Sequence, residues 1–135
     1  MYRGHEDGAN AVEFALVLPI LLILVFGIIT GGVLYNQQLA LTQAAREGAR
    51  FAATLPEAPT SGDACDGSDD WFERVETRTE NSFTGDSTDL TIEVCRPDSE
   101  GKVSVEVQQP GRLEIIVVPP WDLTVSAQST ARYEG

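Results

Sequence analysis

The chain contains 22 consecutive residues, Phe14 to Tyr35 (FALVLPILLILVFGIITGGVLY), without a charged side chain. As a helix rising 1.5 Å per residue, this run is about 33 Å long, enough to cross the hydrocarbon of a bilayer. A secretory signal has a shorter apolar core of roughly 7 to 15 residues and a basic leader. Here the leader MYRGHEDG sets Arg3 against Glu6 and Asp7, and no A-x-A site closes the run. The run is therefore expected to be a retained membrane helix. Its orientation is ambiguous by basic residues, because Arg3 precedes it while Arg46 and Arg50 follow it.

The rest of the chain has the opposite character. From Pro56 to Gly135 there are 17 Asp and Glu against 6 Lys and Arg, a net charge of −11 within a whole-chain value of −12. Such a surface keeps an exposed domain soluble. It repels nucleic-acid phosphates, so no nucleic-acid partner is expected.

Cys65 and Cys95 are the two cysteines, 30 positions apart and not in a C-x-x-C. Behind a membrane helix, such a pair is most simply a disulfide formed in an oxidising compartment, with two buried thiols as the alternative. A bridge there would tie a helix to a sheet in a unit too small for an ample core.

Four zones follow one another: a leader over residues 1–8, one long helix over 9–55, a Pro/Gly/Ser-rich linker over 56–68, and an α+β domain over 69–135. The long helix is membrane-spanning over 14–35 and amphipathic over 36–55. Pro19 removes one helical hydrogen bond and is expected to kink it. Gly27 and Gly31 form a G-x-x-x-G, a candidate helix-packing face. Farther on, Ala40, Ala44, Gly48 and Ala52 recur at helical spacing, broadened by Leu34, Leu41, Ala45 and Leu55. Gly48 costs a helix about 1 kcal/mol against Ala, which close packing would explain. Arg46 and Arg50 share a face, either solvated or available for pairing with acid. Pro56 and Pro59 end the helix.

In the domain, SDDWFERVETRTENSF reads as a helix capped by Ser68, with Trp71, Phe72 and Val75 on one side. Alternating segments follow: DLTIEVCR, KVSVEVQ, RLEIIVVP and DLTVSAQSTARYE. Turn signals RPDSEGK and QPG are expected to separate the first three. The expected fold class is α+β, one helix on a three- or four-stranded antiparallel sheet.

The segment at the start of the apolar run carries the function. Gly8 is followed by ANAV, then Glu13 and Phe14, then apolar residues. This resembles the processing motif of type IV prepilins: a glycine before the cut, a glutamate fifth in the mature chain and an aromatic sixth. Glu13 to Ala53, with Glu-Phe-Ala, Pro19 and AAREGARFAA, is similar to the TadE-like family of pseudopilins. That resemblance implies a tight-adherence (Flp, type IVb) pilus system and cleavage between Gly8 and Ala9 by a membrane-embedded prepilin peptidase. Other pilins or pseudopilins and pilus-assembly membrane proteins are the implied partners, besides the bilayer. The N-terminus would lie inside the cytoplasmic membrane and the domain outside it. In such assemblies the glutamate is neutralised by a neighbouring subunit's N-terminus, although a carboxylate near a helix start can also snorkel to water.

The residues argue against an enzyme. The single histidine, His5, falls in the expected leader, and there is no G-x-S-x-G or phosphate-binding glycine loop. Asp63, Asp66, Asp69 and Asp70 lack the spacing of a calcium loop. No cofactor or metal is expected. The competing reading is a single-pass anchored, adhesin-like binding module whose helix is only a tether.

Overall fold

The computed structural model describes residues 6–56, 58–59, 65, 67, 69–113 and 121–134. Met1–His5, Asp63, Asp66, the expected cap Ser68 and residues 114–119 of the expected third strand lie outside the described residues. The elements are α1 (Glu6–Thr54), α2 (Asp70–Ser82), β1 (Thr91–Cys95), β2 (Lys102–Leu113) and β3 (Trp121–Arg132). This is the expected α+β class, with a long apolar N-terminal helix, one further helix and a three-stranded antiparallel sheet.

The chain divides into two compact units, Met1–Leu34 and Tyr35–Gly135. Within the first, α1 is apolar around its whole circumference. Phe14, Leu16, Ile20, Ile23 and Ile28 are each more than 60% exposed. A helix that is apolar all round must be covered by protein or lipid, and none of the described residues covers it. α1 is helical from Glu6, so the Gly8–Ala9 peptide bond lies within the helix, three residues inside its first turn. Pro19 is accommodated inside α1, and Thr30 donates back to the Phe26 carbonyl at 2.9 Å.

The second unit includes the amphipathic end of α1. Leu41, Ala44, Ala45, Ala49, Ala52 and Ala53 are buried there, against a core of Trp71, Phe72 and Val75 from α2 and Val94, Val103, Val105 and Val107 from the sheet. The sheet order is β1-β2-β3, antiparallel throughout. Side chains alternate across it, so Val94, Val105, Val107, Val125 and Ala127 point to the core. Ser104, Glu106 and Gln128 lie on the opposite, open face.

The expected QPG turn does not exist. β2 runs straight through Gln109, Pro110 and Gly111, paired with Val125, Thr124 and Leu123 of β3. The reason lies in the ladder. Gly101 accepts from the Tyr133 N–H on the β3 side, whereas Lys102 accepts from the Asp98 N–H on the β1 side. By alternation, the missing N–H of Pro110 faces β1. β1 ends at Thr91, opposite Gln108, so no ladder bond is lost there. The β1–β2 connection does turn as expected, with Gly101 supplying a φ of +71° and its N–H bonded to the Asp98 carbonyl.

α1 also covers the outer edge of β3. Gln38 Nε2 donates to the Ser126 carbonyl at 3.1 Å, and the Glu134 N–H donates to the Ala53 carbonyl at 3.2 Å. An edge strand left open invites pairing with another chain, and here α1 bonds to it near its middle and just past its end. At the start of α2 the cap position is taken by Asp69, without a side-chain cap bond, while Asp70 and Glu73 supply negative charge to the first turn.

Candidate processing and assembly site

Two groups of residues carry the candidate chemistry, one in each unit. In the first unit, Gly8, Ala9, Glu13 and Phe14 lie on consecutive turns of α1. Gly8 and Glu13 are exposed, and Phe14 is 67% exposed. Gly27 and Gly31 face open space: a Cβ added at either, or at Gly8, would meet nothing within 4 Å. Among the described residues the G-x-x-x-G pair therefore has no partner, and its small surface allows close approach by another helix.

In the second unit the small-residue row is used internally. Ala44 and Gly48 are buried, and at Gly48 α1 closely approaches α2. A Cβ there would overlap Thr79 Oγ1 and stand 3.2 Å from Thr79 Cβ. Thr79 is fully buried, and its hydroxyl donates to the Val75 carbonyl at 2.7 Å, which satisfies the one polar group at the contact.

Arg46 and Arg50 are both exposed, and among the described residues neither makes an ion pair. The residue between them does. Glu47 Oε1 accepts from Arg78 Nη2 of α2 at 2.7 Å, and the Arg78 guanidinium stands 5.8 Å from the centre of the Phe51 ring. Sequence reasoning missed Glu47, Arg78 and Thr79. Thr79 continues the Trp71, Phe72, Val75 row at helical spacing, a signal hidden by its hydroxyl.

Cys65 and Cys95 are joined in a disulfide. Glu93 lies close to both sulfurs, but their mutual bond leaves no thiolate for a metal. Beside the disulfide, Arg96, Lys102, Ser104, Gln128 and Thr130 line a polar groove over the open sheet face. The Asp98 carboxylate accepts the N–H groups of Glu100 and Lys102, both at 2.8 Å. The Lys102 N–H bond is foremost in holding its carboxyl below the usual carboxylate range.

A family model described as TadE-like protein matches residues 8–50. Over that segment the chain is similar to the TadE-like family. The match starts at Gly8, the glycine of the expected processing motif, and ends at Arg50. By length and apolar composition, α1 is a candidate membrane anchor. No curated protein matches the chain, and no solved structure does.

Proposed function

We propose that the protein is a minor pilin, pseudopilin or assembly factor of a tight-adherence (Flp) type IV pilus. A prepilin peptidase cuts it after Gly8, and the mature helix assembles with other pilins and with pilus-assembly membrane proteins. The observation that carries this reading is the coincidence at Gly8. The TadE-like match begins there, with Glu13 and Phe14 at the fifth and sixth places after it.

The physical case rests on Glu13. A carboxylate at the edge of an apolar span costs roughly 2.5 to 3.5 kcal/mol on insertion scales when it reaches the hydrocarbon centre. Cutting at Gly8 frees the α-amine of Ala9, which is cationic at neutral pH. That amine and Glu13 are four residues apart, about 6 Å along the axis. In a bundle of such helices the amine of one subunit neutralises Glu13 of the next. Low dielectric strengthens that attraction and penalises the unpaired alternative, so Glu13 sets the register.

In this arrangement residues 14–35 cross the cytoplasmic membrane with the N-terminus inside. The acidic second unit is extracytoplasmic, where its disulfide is stable. A substitution at Gly8 tests the reading, since a tether needs no cleavage. Gly8→Trp is expected to leave the full-length precursor uncut in cells that contain the peptidase. If the mutant protein has the same mature mass and the same place in the pilus as wild type, the proposal is wrong.

A further inference from the structure

On α1, Leu39, Gln43, Arg46 and Arg50 fall within about 60° of arc at 3.6 residues per turn. All four are exposed, Leu39 at 43%. The buried row of the same helix, Leu41, Ala45 and Ala52, occupies the other side. On α2, Glu73, Glu76 and Glu80 also fall within about 60° of arc, and Asp69 heads their row at the cap position. These carboxylates are exposed, and among the described residues none has an ion-pair partner.

The two rows are matched in spacing. Gln43, Arg46 and Arg50 repeat the 3-then-4 step of Glu73, Glu76 and Glu80, and each row spans about 10 Å. Each row repels itself, because like charges three and four residues apart on a helix face oppose one another. The other cations described on this helix pair are committed: Arg78 to Glu47, and Arg74 to Asp70. Within one chain the rows are not paired. Arg78 and Thr79 are α2 residues set against α1, at Glu47 and Gly48, and they project about 170° and 90° around the helix from the middle of the Glu73–Glu80 row. The acidic row therefore lies off the side of α2 that meets α1 at these two residues.

We infer that the Gln43–Arg46–Arg50 face of α1 docks against the Asp69–Glu73–Glu76–Glu80 face of α2 in a second copy of this chain. Charge complementarity selects the occupant: an acidic helix of matching step is present on every copy, and a net-negative protein brings two such copies together only at its few cationic rows. The contact joins different faces of the two copies. Made once per pair it adds subunits head to tail, and made twice about a two-fold axis it closes a dimer. It draws on the second unit alone and does not require cleavage at Gly8, so failure of the processing reading leaves it standing.

The test uses the full chain in vesicles of zwitterionic phosphatidylcholine, with a photo-crosslinking amino acid in place of Gln43. Illumination is expected to give a dimer cross-linked to the α2 peptide of the other copy. Arg46→Glu with Arg50→Glu should lower its yield about tenfold, as should Glu73→Lys with Glu76→Lys, and mixing the two variants should restore it, because reversed rows again meet with opposite charge. Since every altered side chain is exposed, the disulfide and helix content of each variant serve as checks on folding. For any variant that misfolds, raising the salt on the wild-type chain provides the same readout, with dimer yield expected to fall. A cross-link only to lipid, a cross-link mapped to another segment, or a dimer yield indifferent to salt and to charge reversal would overturn the inference. The acidic row would then be a solvated face only.

Discussion

Gly48 of α1 sits directly over Thr79 of α2, so close that a methyl group on Gly48 would overlap the Thr79 hydroxyl. This contact joins the end of the TadE-like segment to a residue outside it, and it gives the glycine a packing reason. In an isolated helix Gly48→Ala would gain about 1 kcal/mol of propensity. Here overpacking costs about 1 to 3 kcal/mol and outweighs the gain. Chemical denaturation of the full chain in detergent should show Gly48→Ala less stable than wild type. Adding Thr79→Ala, which removes the colliding atoms, should return part of the loss. A Gly48→Ala variant more stable than wild type would show that α1 and α2 do not meet there.

The Cys65–Cys95 bridge closes a 30-residue separation that contains all of α2 and β1. The chain-entropy model gives about 3 to 4 kcal/mol for a loop of this length. Reduction and alkylation, or replacement of both cysteines by serine, should lower the denaturation midpoint accordingly. Helix signal from the apolar part of α1 should persist.

The Glu47–Arg78 pair should contribute little. Its side chains are 38% and 53% exposed, so water and salt screen it. Glu47→Ala is expected to cost less than about 1 kcal/mol, and the cost should shrink in high salt. A larger, salt-independent loss would mean that Glu47 acts through packing.

Asp98 provides a pH signature. Bonds from the backbone N–H groups of Lys102 and Glu100 hold its carboxyl below the ordinary range, with the Lys102 charge adding to them. A depressed folded value means that its contribution is fully present above the unfolded pKa. That contribution is lost as pH falls through the folded value. In an NMR titration the Asp98 carboxyl should titrate at lower pH than an unperturbed aspartate. The Lys102 amide should exchange faster over the same acid range, and Asp98→Asn should abolish that pH dependence.

Much of this architecture is legible in the sequence, for identifiable reasons. Val103, Val105 and Val107 alternate because one face of β2 is core and the other is open, and the 22-residue run has no polar face, which fits its lack of cover among the described residues. The amphipathic row on α1 is legible at Leu41, Ala44, Ala45, Gly48 and Ala52, although Ala49 and Ala53 also enter the core. The QPG turn was misleading because Pro and Gly ordinarily interrupt strands. Only the register, with β1 ending before Pro110, makes that residue harmless. Glu47 was hidden because its pairing depends on where α2 crosses α1, a long-range fact that no local pattern encodes, whereas Thr79 sits in the buried row of α2 and was masked by its hydroxyl. The proposed processing residues stand out as a motif because a protease would read a short local segment.

The most direct measurement for the proposed function is the intact mass of the protein purified from its native membrane, with the sequence of its N-terminus. The account predicts a chain beginning at Ala9, lighter by the two hydrogens lost in one disulfide. A chain still beginning at Met1, from cells that contain the peptidase, would contradict it and leave Glu13 without its counter-charge.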